Sequence, residues 1–469
     1  MPALNGEFAV GGNNMPTQEM TGPPVAGAPK LATSIGDWGG SPQGRIDYGY
    51  RASHVTVLAA RILMKAYYGR APRFSYFMGC SEGGREGLVE AQRYPGDFDG
   101  ISAGAPAMLV TAQQSTFHLW IAAANRRADG TNILMPAKRR LLHDAVLTQC
   151  ATQSDVKDGL LQVPAACPFT PASLRCGADI VGGPGCLTAE EVDVVQKLYE
   201  GASDPQGHPL LFGLEPGSEL QWDLPDTPTA VPDGVRAAAL SLAYVILPEA
   251  SPERVDNSHI QFTKAYFELS STLAPLYNAT NTNLKAFAAR GGRLILWHGL
   301  SDFRVSPRVS ETYYRGVRLA MGARATDGFM RLFLLPGVGH CGGGEGYDQM
   351  DVLSPLMAWT ESNRAPAQIM AGRTSGAGAT NPPAAPEPAK MPLALPMPAL
   401  DATRPLFPFP NIARFTGRGD PLVGSNYARS QAPGKSTSKV EYAVLMMFGP
   451  DNQRQYAVRD GRLVVLRPH

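Results

Sequence analysis

The stretch Tyr76-Phe77-Met78-Gly79-Cys80-Ser81-Glu82-Gly83-Gly84-Arg85-Glu86-Gly87 decides how this chain folds. The apolar run Phe74 to Met78 predicts a buried strand, and the residues from Arg85 to Ala91 predict a helix ended by Tyr94-Pro95-Gly96. Between them a serine stands in a Gly-x-Ser-x-Gly setting, the spacing of a nucleophile elbow. The glycines let the backbone turn sharply and thrust the hydroxyl out of the sheet. The helix N-terminus and the amide of Glu82 then face the place where an oxyanion would develop.

Working outward, strands and helices alternate in two blocks. Arg51 to Tyr68 reads as an amphipathic helix ahead of the elbow, and Phe98 to Gly104 as the next strand. In the second block Leu284 to Arg290 is helical, Arg293 to Trp297 a strand, Ser310 to Met321 a helix, Arg331 to Leu335 a strand and Leu353 to Ser362 a helix. Such alternation implies a mainly parallel sheet covered by helices. The run Ala237 to Leu247 is too short to span a bilayer and predicts a buried helix. Ala371 to Leu400 is rich in Pro, Ala and Gly and reads as a linker or surface excursion. The tail holds two short β-prone runs, Tyr442 to Met447 and Arg462 to Leu466.

A serine hydroxyl needs a base within hydrogen-bond reach, and the base needs an orienting acid. Asp302 follows the strand Leu294 to Trp297 in the loop His298-Gly299-Leu300-Ser301-Asp302, between Ser81 and the glycine-rich loop Gly337-Val338-Gly339-His340-Cys341. Ser81, Asp302 and His340 thus fall in the chain order of a Ser-Asp-His triad. The plain alternative for Asp302 is a loop-capping aspartate. Asp99 precedes its strand and would face the wrong end of the sheet. His298 rivals His340, but it lies four positions from Asp302 and would crowd one loop.

A cysteine adjoins each outer member of that set, Cys80 before the serine and Cys341 after the histidine. A bond between them would bring Ser81 and His340 together, because bonded cysteines hold their Cα atoms within about 4.4–6.8 Å. Closing so long a loop contributes roughly 5 kcal/mol in the chain-entropy account. The alternative is a pair of buried free thiols. The other four cysteines, Cys150, Cys167, Cys176 and Cys186, cluster in a Pro- and Gly-rich stretch, and no Cys-x-x-Cys zinc pattern occurs.

The bulk numbers exclude several classes. The chain has 469 residues, 44% of them hydrophobic, so it can bury a large core. Its 42 basic and 41 acidic residues nearly cancel, which argues against nucleic acid or an anionic membrane as partner. Six cysteines point to an oxidising compartment. Met1 nevertheless opens on Pro-Ala-Leu-Asn-Gly-Glu-Phe without a basic and apolar leader, so a start internal to a longer precursor is expected.

At the elbow, at Ala91-Gln92-Arg93-Tyr94-Pro95, at Phe98-Asp99-Gly100, at His298 to Asp302 and at Pro336 to Gly344, the chain resembles the tannase/feruloyl esterase family, its mono-hydroxyethyl terephthalate hydrolases included. The resemblance implies an α/β-hydrolase fold with a large inserted lid domain and a serine hydrolase with Ser81, Asp302 and His340 as catalytic residues. It implies a Cys80–Cys341 disulfide, suggests Cys150–Cys167 and Cys176–Cys186 in the lid, and implies periplasmic or extracellular residence. The oxyanion amides would be those of Glu82 and, from the loop Gly11-Gly12-Asn13-Asn14, Gly12. Many members bind calcium in the lid. Here Cys150 to Gly159 keeps only Asp158 at a family carboxylate position, with Asp155 on the glycine position, so a lost or weak site is expected. No metal and no required cofactor are assigned. Family members have a cysteine where Phe407 stands, and that disulfide is expected to be missing.

The expected organisation is a catalytic core of residues 1–108 and 283–412, with an excursion at about 371–400, a lid of residues 109–282, and a C-terminal extension of residues 413–469. The expected activity is hydrolysis of esters of hydroxycinnamic or gallic-like aromatic acids through an acyl-enzyme. The alternatives are hydrolysis of other small aromatic esters and an inactive, truncated binding homologue. Oligomeric state is not legible in the sequence.

Overall fold

In the computed structural model, the described residues are 39–150, 152, 158–177, 182–249, 260–374, 400–432, 447–450 and 452–466. Four strands, β1 (Tyr76–Cys80), β2 (Gly100–Gly104), β3 (Arg293–Gly299) and β4 (Met330–Leu335), form one sheet in that order. All three pairings are parallel. Strands β2, β3 and β4 are built largely of buried apolar residues such as Ile101, Leu294, Leu296 and Leu332, as expected where helices cover both faces.

The helices that frame the site are α1 (Ala52–Tyr68), α2 (Glu82–Arg93), α3 (His118–Ala124), α4 (Arg139–Gln149), α5 (Ala189–Glu200), α6 (Asp233–Ser241), α7 (Pro307–Met321) and α8 (Leu353–Ser362). Their ends follow local chemistry. Gly69, at φ 70°, closes α1 in the left-handed conformation, Thr188 and Glu191 form a capping box on α5, and Pro307 opens α7.

Two sequence expectations need correction. The strand placed at Phe74 to Met78 lies at Tyr76–Cys80, two residues later, and is only half buried, with Met78 41% exposed. Only β2 pairs with it among the described residues, so it lacks the two-sided cover of an inner strand. The helix at α1 has the expected length, but its apolar residues Leu58, Ile62, Leu63 and Tyr67 point outward and only Ala60 is buried. Periodicity places apolar residues on a face; it does not say what covers that face.

The stretch between β2 and β3 carries α3 to α6 and shares one hydrophobic cluster with the sheet. Leu142, Val195, Trp222 and Leu242 pack in the same cluster as Leu88, Ile101, Leu294 and Leu332. The run Ala237 to Leu247 is α6 followed by a π-helical turn, Leu242–Ile246, whose residues are mostly buried.

Beyond β4, β5 (Gln349–Met350), β6 (Ile369–Arg373) and β7 (Ala402–Leu406) make an antiparallel sheet, so the first residues of the Pro/Ala-rich excursion belong to β6. Strands β8 (Asn411–Phe415) and β9 (Tyr427–Gln431) pair antiparallel. The β-prone run at Arg462 forms β11 (Arg462–Val465) against β10 (Tyr456–Arg459), turning on Asp460-Gly461, both at positive φ. Most of the other run, Tyr442 to Met447, lies outside the described residues. The hairpin is tied back by Tyr50 Oη, which accepts from Tyr456 N at 3.0 Å.

Candidate functional site

Three of the four parallel strands end at the same place, and the candidate residues follow those ends. Cys80 is in register with Gly104, Gly104 with Trp297, and Gly299 with Leu335. Ser81 follows β1, Asp302 follows β3 and His340 follows β4. Ligand sites of open α/β sheets lie outside the carboxyl ends of the strands. Asp99 sits at the opposite end, where its carboxylate accepts from Ser75 N at 2.8 Å.

The elbow is built differently from the simple reading of its glycines. The positive backbone angle is carried by Ser81 itself, at φ 63° and ψ −118°. Gly79 serves close approach, since a Cβ there would lie 2.3 Å from the Gly83 carbonyl oxygen. Gly84 does the same against the Gly104 carbonyl oxygen at 2.3 Å, pressing α2 onto β2. Gly83 has open space where its Cβ would be. Hydrogen bonds hold the strained serine: Ser81 N donates to Gly104 O at 2.9 Å, and Ser81 O accepts from Arg85 N at 3.1 Å and Ala107 N at 3.0 Å.

As the first residue of α2, Glu82 has an amide with no intrahelical acceptor, which is what an oxyanion donor requires. Its side chain accepts from the wholly buried Arg85, whose Nη atoms also donate to Gly49 O, Tyr277 O and Tyr48 O at 2.8–2.9 Å. Burial would lower the Arg85 pKa, but the charge and hydrogen bond of Glu82, with Tyr48 and Glu86, together outweigh it and the guanidinium stays charged. Gly12, the second amide expected, lies outside the described residues.

Cys80 and Cys341 are bonded, with Cα atoms 5.9 Å apart across 261 positions of sequence. The other two pairs are Cys150–Cys167 and Cys176–Cys186, and no free cysteine remains among the described residues. Ser81 and His340 are the residues next to the two ends of the first bond, so it holds their backbones near one another. No hydrogen bond joins the Ser81 hydroxyl to His340 in this structure; resting sites often form that contact only with substrate bound.

His340 Nδ1 lies 2.8 Å from Asp302 Oδ2. Asp302 is fully buried and also accepts from Arg304 N at 2.8 Å and Val305 N at 3.0 Å. Burial alone would raise its pKa, yet the His340 charge and the hydrogen bonds from His298 and His340 hold it well below the ordinary carboxylate range. It is therefore an anion at working pH.

His298, the rival histidine, has its own place. It is wholly buried, and its Nε2 lies 3.1 Å from Asp302 Oδ2 and 3.0 Å from Val305 O, with Nδ1 2.7 Å from Ser310 Oγ. Because a carbonyl can only accept, the proton belongs on Nε2, and Ser310 then donates to Nδ1. His298 braces Asp302 from behind and has no exposure to a substrate. The i, i+4 spacing of His298 and Asp302 was its only trace in the sequence.

The stretch between β2 and β3 touches both loops. Ser301 Oγ donates to Gly217 O at 3.0 Å, His143 Nε2 lies 2.7 Å from Glu345 Oε2, and Leu160 packs with Val338. His118, at the start of α3, feels the charges of Arg304, His340 and Asp302, and burial followed by the first two pushes its pKa down to about 4. It is thus a neutral imidazole beside the site. None of these contacts had a sequence signal, since each joins segments far apart in the chain.

The lid calcium expected of the family finds a poor fit. Asp158 Oδ2 is 2.6 Å from Arg404 Nη1, and Oδ1 accepts from Leu160 N at 3.2 Å. A guanidinium thus occupies the cationic position beside the one matching carboxylate. Asp155 and its neighbours lie outside the described residues.

Comparison with known proteins shows the family. The family model described as tannase and feruloyl esterase matches residues 28–430. A mono(2-hydroxyethyl) terephthalate hydrolase of Piscinibacter sakaiensis is 32% identical over 444 residues, 84% of this chain and 70% of that protein. A probable feruloyl esterase B-2 of Aspergillus flavus is 30% identical over 349 residues, 69% of this chain and 64% of that protein. The crystal structure of feruloyl esterase B from Aspergillus oryzae superposes with a TM-score of 0.69 at 23% identity, covering 83% of this chain and 75% of that one. The fold is of the α/β-hydrolase type. The chain belongs to the tannase and feruloyl esterase family and is a carboxylic ester hydrolase.

Proposed function

We propose that this protein hydrolyses esters of small aromatic acids through an acyl-enzyme on Ser81, with His340 as base and Asp302 as its orienting anion. The observation that supports the reading is the Cys80–Cys341 bond, whose two ends adjoin Ser81 and a histidine 2.8 Å from a buried carboxylate. In this reading the Ser81 oxygen attacks the ester carbonyl while His340 Nε2 takes its proton. The Glu82 amide, and Gly12 as second donor, hold the oxyanion. His340 returns the proton to the leaving alcohol, and a water activated by the same imidazole releases the acid. No cofactor enters these steps.

The aromatic acyl preference rests on the activities for which the relatives are named. Feruloyl esters and terephthalate monoesters share a flat acyl group, which apolar walls with a few polar contacts would suit. Residues 214–249 are the proposed lining; the rest of the expected stretch, to 260, lies almost wholly outside the described residues. The three disulfides favour an extracellular or periplasmic setting. Among the described residues no helix is long and apolar enough to cross a membrane.

The test has two arms. A fluorophosphonate should label Ser81, and Ser81→Ala should abolish both labelling and turnover while leaving the melting temperature near that of the parent. Methyl ferulate, methyl gallate and mono-hydroxyethyl terephthalate, assayed side by side, then rank the acyl groups. Turnover retained by Ser81→Ala would overturn the assignment.

A further inference from the structure

A second cluster of functional side chains lies at the far end of the elbow helix. Glu90 sits in the last turns of α2, Asp97 in the turn that follows it, and His54 in the first turn of α1. One ligand atom from each lies within 4.8 Å of the others.

The cluster holds a charge problem. Glu90 is wholly buried, and neither of its oxygens receives a hydrogen bond from a protein N–H or O–H. Its close polar neighbour is a second buried carboxylate, Asp97. Two carboxylates in contact, one of them fully desolvated, do not both stay ionised alone: burial and Asp97 push Glu90 up to about 9, and either a shared proton or a bound cation relieves the repulsion. Arg61 pairs with Asp97 from outside and offsets the charge only in part, since Glu90 stays raised beside it. Its Nη1 donates to Asp97 Oδ1 at 3.4 Å, the oxygen that His54 does not touch, and its Nη2 donates to the carbonyls of Gly96 and Asp97.

His54 completes the set. Its Nδ1 lies 2.5 Å from Asp97 Oδ2, and its ring is stacked on Tyr94 at 3.9 Å with the planes 3° apart, which fixes the imidazole. The side chain is about a quarter exposed, so the cluster has an open side toward solvent.

We propose that His54, Glu90 and Asp97 form a three-ligand site for a divalent transition metal of the zinc class, with water on the open side. One imidazole and two carboxylates suit zinc, whereas calcium takes six to eight oxygens. Zinc–ligand bonds of about 2.0–2.2 Å in a tetrahedron place ligand atoms roughly 3.3 Å apart. The His54–Asp97 contact would therefore open by about an ångström, within the freedom of two side chains. The ion would fasten α1 to the end of α2, the helix that Ser81 precedes. This is independent of the esterase reading and stands or falls without it.

The test uses the full chain, treated with a chelator, dialysed, and titrated with zinc alone by calorimetry. A parallel titration with cobalt reads the visible absorption of a low-symmetry site. Expected are one equivalent per chain, micromolar or tighter affinity, and a melting temperature raised by several degrees. Glu90→Gln and His54→Ala should each weaken binding at least tenfold. His54 is partly exposed, so its variant keeps the test alive should Glu90→Gln fail to fold. No saturable binding by the parent would overturn the proposal and leave a shared proton between the carboxylates. Binding that survives both substitutions would overturn it too, by placing the metal elsewhere.

Discussion

Asp302 Oδ2 lies 2.8 Å from His340 Nδ1, and the same oxygen lies 3.1 Å from Nε2 of the buried His298. One carboxylate oxygen thus serves two imidazoles, one facing the site and one facing the core.

This arrangement predicts graded losses. Asp302→Asn should cost about 10⁴-fold in kcat, because the base loses its orienting anion. His298→Asn removes one of several hydrogen bonds to a charged group, worth about 1.5–3 kcal/mol, or roughly 10- to 100-fold in kcat with KM nearly unchanged. Steady-state kinetics on one ester decide it; a His298→Asn enzyme with full kcat would show that the rear imidazole is idle.

The Cys80–Cys341 bond should make activity sensitive to reduction. It closes a loop of 261 positions, a constraint on the unfolded chain of roughly 5 kcal/mol. The paired Cys80→Ser, Cys341→Ser variant should melt at a lower temperature and turn over ester more slowly. In a reductant titration, ester turnover should fall before the circular dichroism signal does. Simultaneous loss would mean that the bond stabilises the fold without positioning His340.

Gly79 and Gly83 occupy equivalent places in the motif and should respond differently. Gly79→Ala drives a Cβ to within 2.3 Å of a backbone oxygen, and overpacking of this kind costs about 1–3 kcal/mol or more. Gly83→Ala meets open space inside a helix and should gain up to about 1 kcal/mol. Chemical denaturation of the two variants would test this directly, with equal stabilities counting against the close-approach account.

The clamp between α4 and the His340 loop predicts an alkaline limit. Burial would lower the pKa of His143, but its bonds to Glu219 and Glu345 outweigh that and raise it to about 9. A histidine raised in the folded state stabilises fully below its unfolded value near 6.5, and the contribution disappears as pH climbs through about 9. The shift corresponds to roughly 3 kcal/mol. Glu345 is shifted downward, first by the same hydrogen bond, so its share is present above the ordinary glutamate value and lost in acid. Melting temperature should therefore decline between pH 6.5 and 9.5, and His143→Gln should flatten that decline. Parallel curves for parent and variant would refute the clamp.

Much of the fold and part of the candidate site could be read along the chain. The elbow at Ser81 is local: a strand, a turn and a helix within about twenty residues, each with its own composition. The strands around Leu294 and Leu332 announced themselves as continuous apolar runs, because parallel strands are buried on both faces. Chain order then proposed Asp302 and His340, and the flanking cysteines chose His340 over His298.

What the chain could not disclose is how distant segments meet. The exposure of Met78 and Ile62 and the outward turn of α1 depend on neighbours rather than on the residues' own preferences. The same holds for His298, which looked like a competitor and proved to be a brace, and for the cluster of His54, Glu90 and Asp97. Sequence alone singled out Ser81, Asp302 and His340 as candidates for nucleophile, acid and base and placed each after a predicted strand. Tertiary structure decided which side chains face each other there, because hydrogen bonds and burial act over a few ångströms of space, whatever the separation along the chain.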